Sequence, residues 1–62
     1  MSIKSARKRA GKSVAEVAAA MGVTDGAVYQ WDLGMTMPST DKLLKLAQFL
    51  GCSVDELLKK DE

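Results

Sequence analysis

Four glycines cut this chain into short segments, and each stands shortly before a residue that can start a new helix. Gly11 precedes Ser13, Gly22 precedes Thr24, Gly34 precedes Ser39, and Gly51 precedes Ser53. Glycine takes the left-handed conformation that closes a helix at little cost, whereas Ser and Thr accept an unpaired backbone N–H at a helix start. The spacing therefore predicts five short helices. They run over residues 2–10, from the Ser13 cap to Gly22, over 25–33 and 40–50, and from the Ser53 cap through Leu58. Ser13-x-x-Glu16 and Ser53-x-x-Glu56 read as capping boxes, and Pro38 breaks the chain ahead of the fourth helix. The tail, residues 59–62, is expected to fray.

Helices this short are stable only through packing, and 62 residues make one domain near the lower size limit for a self-sufficient core. Hydrophobic residues are 47% of the chain but only three are aromatic, so the core must be built from aliphatic groups and alanine. Candidate core positions are Val17, Ala18 and Met21; Val28 and Trp31; Leu43, Leu46, Ala47 and Leu50 at the spacing of one buried helix face; and Val54, Leu57 and Leu58. The expected fold class is all-α, one domain over residues 1–62.

Several function classes are disfavoured. There is no histidine and a single cysteine, Cys52, so neither an internal disulfide nor a zinc site is expected, and a reducing compartment fits. No acids pair in an evident pocket, and Ser and Thr are accounted for as caps; an enzyme is not expected, nor is any cofactor or metal. No apolar run reaches the roughly 20 residues of a membrane span and no signal peptide is visible, which points to a cytoplasmic protein. Net charge is +1, but five of nine cations (Lys4, Arg7, Lys8, Arg9 and Lys12) fall in the first twelve residues, with no acid among them. From Asp32 onward six acids face four lysines. Such a bipolar chain either offers one basic end to a polyanion or carries a solvated helix face.

Residues 14–33 hold the most informative pattern. Two helices are joined by Met21-Gly22-Val23-Thr24, with Gly22 free to take positive φ and Ala18 small enough for a close crossing. Val28 and Trp31, three apart, anchor the second of these helices, so Trp31 is read as core. The other face then presents Thr24, Asp25, Gly26, Tyr29 and Gln30. A helix held this way can enter the roughly 12 Å wide major groove of DNA.

The ordered set of residues resembles the lambda-repressor-like, Xre-type helix-turn-helix family, which includes phage Cro and repressor proteins. The resemblance runs from Ile3 to Leu58. It is carried by Ser13, Glu16, Ala18, Gly22-Val23-Thr24, Val28, Trp31-Asp32-x-Gly34, Pro38-Ser39, Leu43-x-x-Leu46-Ala47-x-x-Leu50-Gly51 and Val54-x-Glu56-Leu57-Leu58. It implies five helices with the helix-turn-helix at the second and third, double-stranded DNA as partner, and repression as a symmetric dimer on a pseudo-palindromic operator. It also implies an interior ion pair between Arg7 and Asp32. Base contacts are expected from Thr24, Asp25, Gly26, Tyr29 and Gln30. Phosphate contacts are expected from Lys12, Ser13, the backbone of Val14, and Lys4, Lys8 and Arg9.

Within the reading helix, Gln30 matches adenine bidentately, and Tyr29 either packs on a sugar or thymine methyl or shields the helix surface. Asp25 either accepts from a cytosine amino group or serves only the helix dipole. Gly26 costs roughly 1 kcal/mol of helix propensity relative to Ala, with no evident folding reason to be glycine.

Three features depart from the family pattern: Val14 where Gln is common, Leu33 where Asn is usual, and Met35-Thr36-Met37 in a loop that is commonly basic. With no further domain expected after the fifth helix, a weak homodimer completed on DNA would use Leu33, Met35, Met37 and Phe49. The near-neutral charge and the apolar Val14, Leu33, Met35 and Met37, around a surface that DNA binders usually make basic, support a rival reading, a protein-binding module such as an antitoxin or anti-repressor component on the same scaffold.

Overall fold

The computed structural model describes residues 2–58, all of whose regular structure is helical. In chain order the elements are α1 (Ile3–Arg9), α2 (Val14–Met21), α3 (Asp25–Leu33), α4 (Thr40–Leu50) and α5 (Val54–Leu58). These bounds agree with the glycine and cap punctuation, and the expected tail, 59–62, lies outside the described residues.

Local chemistry at the helix ends explains most of the boundaries. Ser13 Oγ accepts the Glu16 N–H at 3.1 Å while Glu16 Oε1 accepts the Ser13 N–H at 3.0 Å, so the first capping box is complete. Thr24 Oγ1 accepts the Ala27 N–H at 3.2 Å at the start of α3. Between them Gly22 sits at φ 69°, ψ 32°, which allows the Val23 N–H to reach back to the Ala18 carbonyl at 3.0 Å. The chain thus reverses in very few residues.

Two expected caps differ. Ser39 has the extended backbone of an N-cap, but its hydroxyl makes no cap hydrogen bond; the break at buried Pro38 defines this start instead. At α5 only the hydroxyl half of the box forms, Ser53 Oγ accepting the Glu56 N–H at 3.2 Å.

The core draws on all five helices: Ile3 and Ala6; Val17, Ala18 and Met21; Val28 and Trp31; Leu43, Leu46, Ala47 and Leu50; and Leu57. Val17, Val28 and Leu46 are fully enclosed. At about 25 cal/mol per Å² of apolar area removed from water, each contributes roughly 1.5–3 kcal/mol. Val54 is only partly buried against this cluster, and Leu58, expected as a packing residue, is exposed. Leu57 turns inward, three residues from the partly buried Val54 on the same face, and Leu58, about 100° further around the helix, is left to solvent. α2 and α4 pack together, and α3 lies against both α2 and α1. This fixes α3 from its inner side and leaves its outer side bare.

Candidate nucleic-acid interface

Helical periodicity gives α3 two faces. Val28 and Trp31 point into the core at 0% and 7% exposure. Gly26, Tyr29, Gln30 and Leu33, related as i, i+3, i+4 and i+7, share the opposite face, and all are exposed. Tyr29 is 56% exposed, and neither it nor Gln30 makes a side-chain hydrogen bond to any described residue. Thr24 and Asp25 stand exposed at the N-terminal end of this stripe. Four of the five expected base-reading residues therefore present uncommitted surface, and the fifth, Thr24, already works as the helix cap.

Gly26 is not required by the fold. A Cβ placed there would meet only Thr24 Oγ1, at 3.9 Å, and its φ is not positive.

A buried hub sets how α3 sits relative to the start of α2. Arg7 donates to Asp32 Oδ2 from Nε at 3.2 Å and from a terminal guanidinium nitrogen at 2.9 Å; its other terminal nitrogen donates to the Lys12 carbonyl at 3.0 Å. The two side chains are 12% and 6% exposed. One guanidinium thus ties α1, α3 and the loop before α2. The link to the Lys12 carbonyl was not visible in the sequence, since a backbone acceptor leaves no residue-type signal. Asp32 Oδ1 is buried without a hydrogen-bond partner, so Arg7 is what compensates this carboxylate.

The cations on α1 and its following loop are dispersed. Lys4 and Lys8, four apart, are exposed on neighbouring positions of α1. Arg9 lies two residues, about 200° of helix, beyond Arg7. It lines a groove of about 360 Å³ formed by Ala6, Ala10, Leu50, Gly51, Cys52 and Glu56, on the side of α1 turned away from Asp32. Lys12 places its ammonium 5.2 Å from the centre of the Phe49 ring. Phe49, expected among the free apolar residues, is half-buried against the core beneath that ammonium. Leu33, Met35 and Met37 are open, at 70%, 70% and 52% exposure.

Among the described residues, two groups titrate away from their usual ranges. Glu16 is held below the ordinary carboxylate value by the Ser13 backbone N–H first and the Ser13 hydroxyl second. Burial, and then the Glu56 charge, push the Cys52 thiol up. Cys52 is free, and among the described residues no cluster of three or more potential metal ligands occurs. No helix of the described residues is long and apolar enough to cross a membrane.

A helix-turn-helix family profile matches residues 3–57. The chain belongs to the lambda-repressor-like, Xre-type helix-turn-helix family. It is 37% identical over 59 residues to Repressor protein C2 of Salmonella phage P22, a match covering 95% of this chain and 27% of that repressor. The chain thus spans about a quarter of the length of that relative. Among solved structures, the helix-turn-helix fold matches the N-terminal DNA-binding domain of SinR, the master biofilm regulator of Bacillus subtilis. The TM-score is 0.73 at 33% identity, over 95% of this chain and 87% of that domain. In this helix-turn-helix unit α2 and α3 are the paired helices and Gly22 is their turn.

Proposed function

We propose that this domain is a sequence-specific double-stranded DNA-binding transcriptional regulator, a small Cro-like repressor that inserts α3 into the major groove. The carrying observation is the division of α3: Val28 and Trp31 lock it into the core while Asp25, Gly26, Tyr29 and Gln30 form an exposed, uncommitted stripe. The likeness to a phage repressor and to a DNA-binding domain supports the same reading. Gln30 reads an adenine, Tyr29 packs on a sugar or thymine methyl, and Gly26 admits close approach of the duplex. The N-terminal end of α2 at Ser13 and Val14 receives a phosphate through its backbone N–H groups. Lys12 reinforces that contact after leaving the Phe49 ring, a displacement costing about 0.5–1 kcal/mol. Lys4 and Lys8 add long-range attraction, and Arg9, facing the groove beside Cys52, stands outside the contact set.

A pseudo-palindromic site fits the size of the molecule. Its Cα extents are 27 × 23 × 22 Å, so two copies can sit on half-sites about 34 Å apart along one side of the duplex. Leu33, Met35 and Met37 then form the contact between copies. The rival reading, a protein-binding module, rests on the same three exposed side chains.

Titration of a labelled duplex across a range of salt separates the two. DNA recognition gives an affinity that falls steeply with salt, by nearly one counterion per neutralised phosphate. Absence of duplex binding at low salt by folded protein would overturn it, and a salt-insensitive protein complex at Leu33, Met35 and Met37 would establish the rival.

A further inference from the structure

The reading helix carries no cation. Its charged residues are Asp25 and Asp32, and Asp32 is engaged by Arg7. Asp25 lies exposed in the first turn, and its carboxylate makes no hydrogen bond or ion pair with any described residue. The capping role is filled by its neighbour, Thr24 accepting the Ala27 N–H at 3.2 Å. Gly26 on its other side adds no side chain that would screen it, and the position beside it is open. All the acceptor capacity of Asp25 is therefore free, on the surface that approaches a polyanion.

A bare carboxylate there opposes binding to every sequence unless it meets a donor. In the major groove the donors are the amino groups of cytosine and adenine; guanine offers only O6 and N7, and thymine only O4 and a methyl group. Adenine places its N7 acceptor beside its amino group, facing the same carboxylate, so cytosine is the best match. Guanine, commonly read by an Arg or Lys fork, finds no such fork on α3.

Resting on the DNA-binding reading above, we infer that Asp25 is a specificity residue, which accepts a hydrogen bond from a cytosine amino group and rejects guanine on the same strand. By the same contact it penalises non-cognate duplex, which raises discrimination while lowering general affinity. Asp25 in this role acts with Gln30: one side chain selects cytosine and the other adenine, with no guanidinium or ammonium from the helix itself.

The test is parallel selection of duplexes from a random library by the wild-type protein, Asp25→Asn and Asp25→Ala. Circular dichroism melting of each confirms that it is folded. The wild-type motif is expected to hold one position as cytosine, about tenfold over guanine in direct binding. Asp25→Asn should move that position toward adenine, which Asn reads bidentately. Asp25→Ala should lose preference there alone, and both variants should bind mixed-sequence duplex more tightly than wild type. Three identical motifs would overturn the inference while leaving the DNA-binding reading intact. A folded wild-type protein that enriches no sequence would overturn both, a result distinguishable from three shared motifs.

Discussion

Replacing Arg7 by methionine removes the one group that compensates a carboxylate buried to 6% exposure. Asp32 would keep its Oδ1 unpartnered and lose both hydrogen bonds on Oδ2, at 2.9 and 3.2 Å. Breaking a buried pair from one side costs about 3–5 kcal/mol, because an uncompensated charge remains. Loss of the Arg7 bond to the Lys12 carbonyl adds about 1 kcal/mol. At roughly 0.05–0.15 kcal/mol per residue, a chain of this length has about 3–9 kcal/mol of total stability. Arg7→Met should therefore remove roughly half or more of the stability of the domain, about 4–6 kcal/mol of that total. The double variant Arg7→Met, Asp32→Leu removes both charges, so it should recover most of the ion-pair part and leave mainly the loss at the Lys12 carbonyl. Urea denaturation followed by helical circular dichroism measures all four corners of this cycle. An interaction energy of about 2–4 kcal/mol is expected. A loss below about 1 kcal/mol in Arg7→Met, or a double variant as unstable as the sum of the singles, would refute the assignment of Arg7 as compensating charge.

Gly26→Ala should raise stability by up to about 1 kcal/mol, since the added Cβ meets only Thr24 Oγ1 at 3.9 Å; the same change should weaken specific DNA binding, and unchanged affinity would show that no close approach occurs there. Gln30→Ala should lower specific affinity by roughly 1–3 kcal/mol and relax one base position, whereas Lys12→Ala should weaken all sequences alike and flatten the salt slope. Competition binding on point-substituted duplexes distinguishes the two, and a shifted sequence preference in Lys12→Ala would contradict its role. Glu16 titrates lower in the folded state than in the unfolded chain, through its bonds with Ser13. Its contribution is complete above the unfolded value and is lost as pH falls through the folded value. The melting-temperature gap between wild type and Glu16→Ala should thus be steady near neutral pH and narrow in acid; a gap independent of pH would refute the carboxylate's part in the cap.

Much of the fold was legible because helix ends here are set by local chemistry. Gly22, Ser13, Glu16 and Thr24 act through bonds within a few residues, which the chain order displays directly. The inward stripe of α4 was equally plain, since eleven residues give the 3, 4, 7 spacing room to repeat. Periodicity loses its force in α5, where Leu57 and Leu58 are adjacent and only packing decides that Leu57 turns inward. The Ser39 hydroxyl and the carboxylate half of the Ser53 box depend on side-chain orientation, for which residue type gives only a propensity. At the candidate site, the exposed stripe on α3 followed from Val28 and Trp31. What sequence could not show was the use of cations by the protein itself: Arg7 reaching the Lys12 carbonyl, Lys12 lying over Phe49, and Arg9 turned toward the Cys52 groove. Those contacts join residues far apart in the chain, or involve backbone atoms that every residue carries.

Titration of isotope-labelled protein with a short duplex, followed by backbone amide NMR shifts, most directly tests the claim that the outer face of α3 with the start of α2 forms the DNA surface. The largest shifts should fall on residues 13–16 and 24–30, with the groove at Leu50, Gly51 and Cys52 unchanged. Shifts concentrated at that groove, or no shifts at low salt in a folded protein, would contradict it.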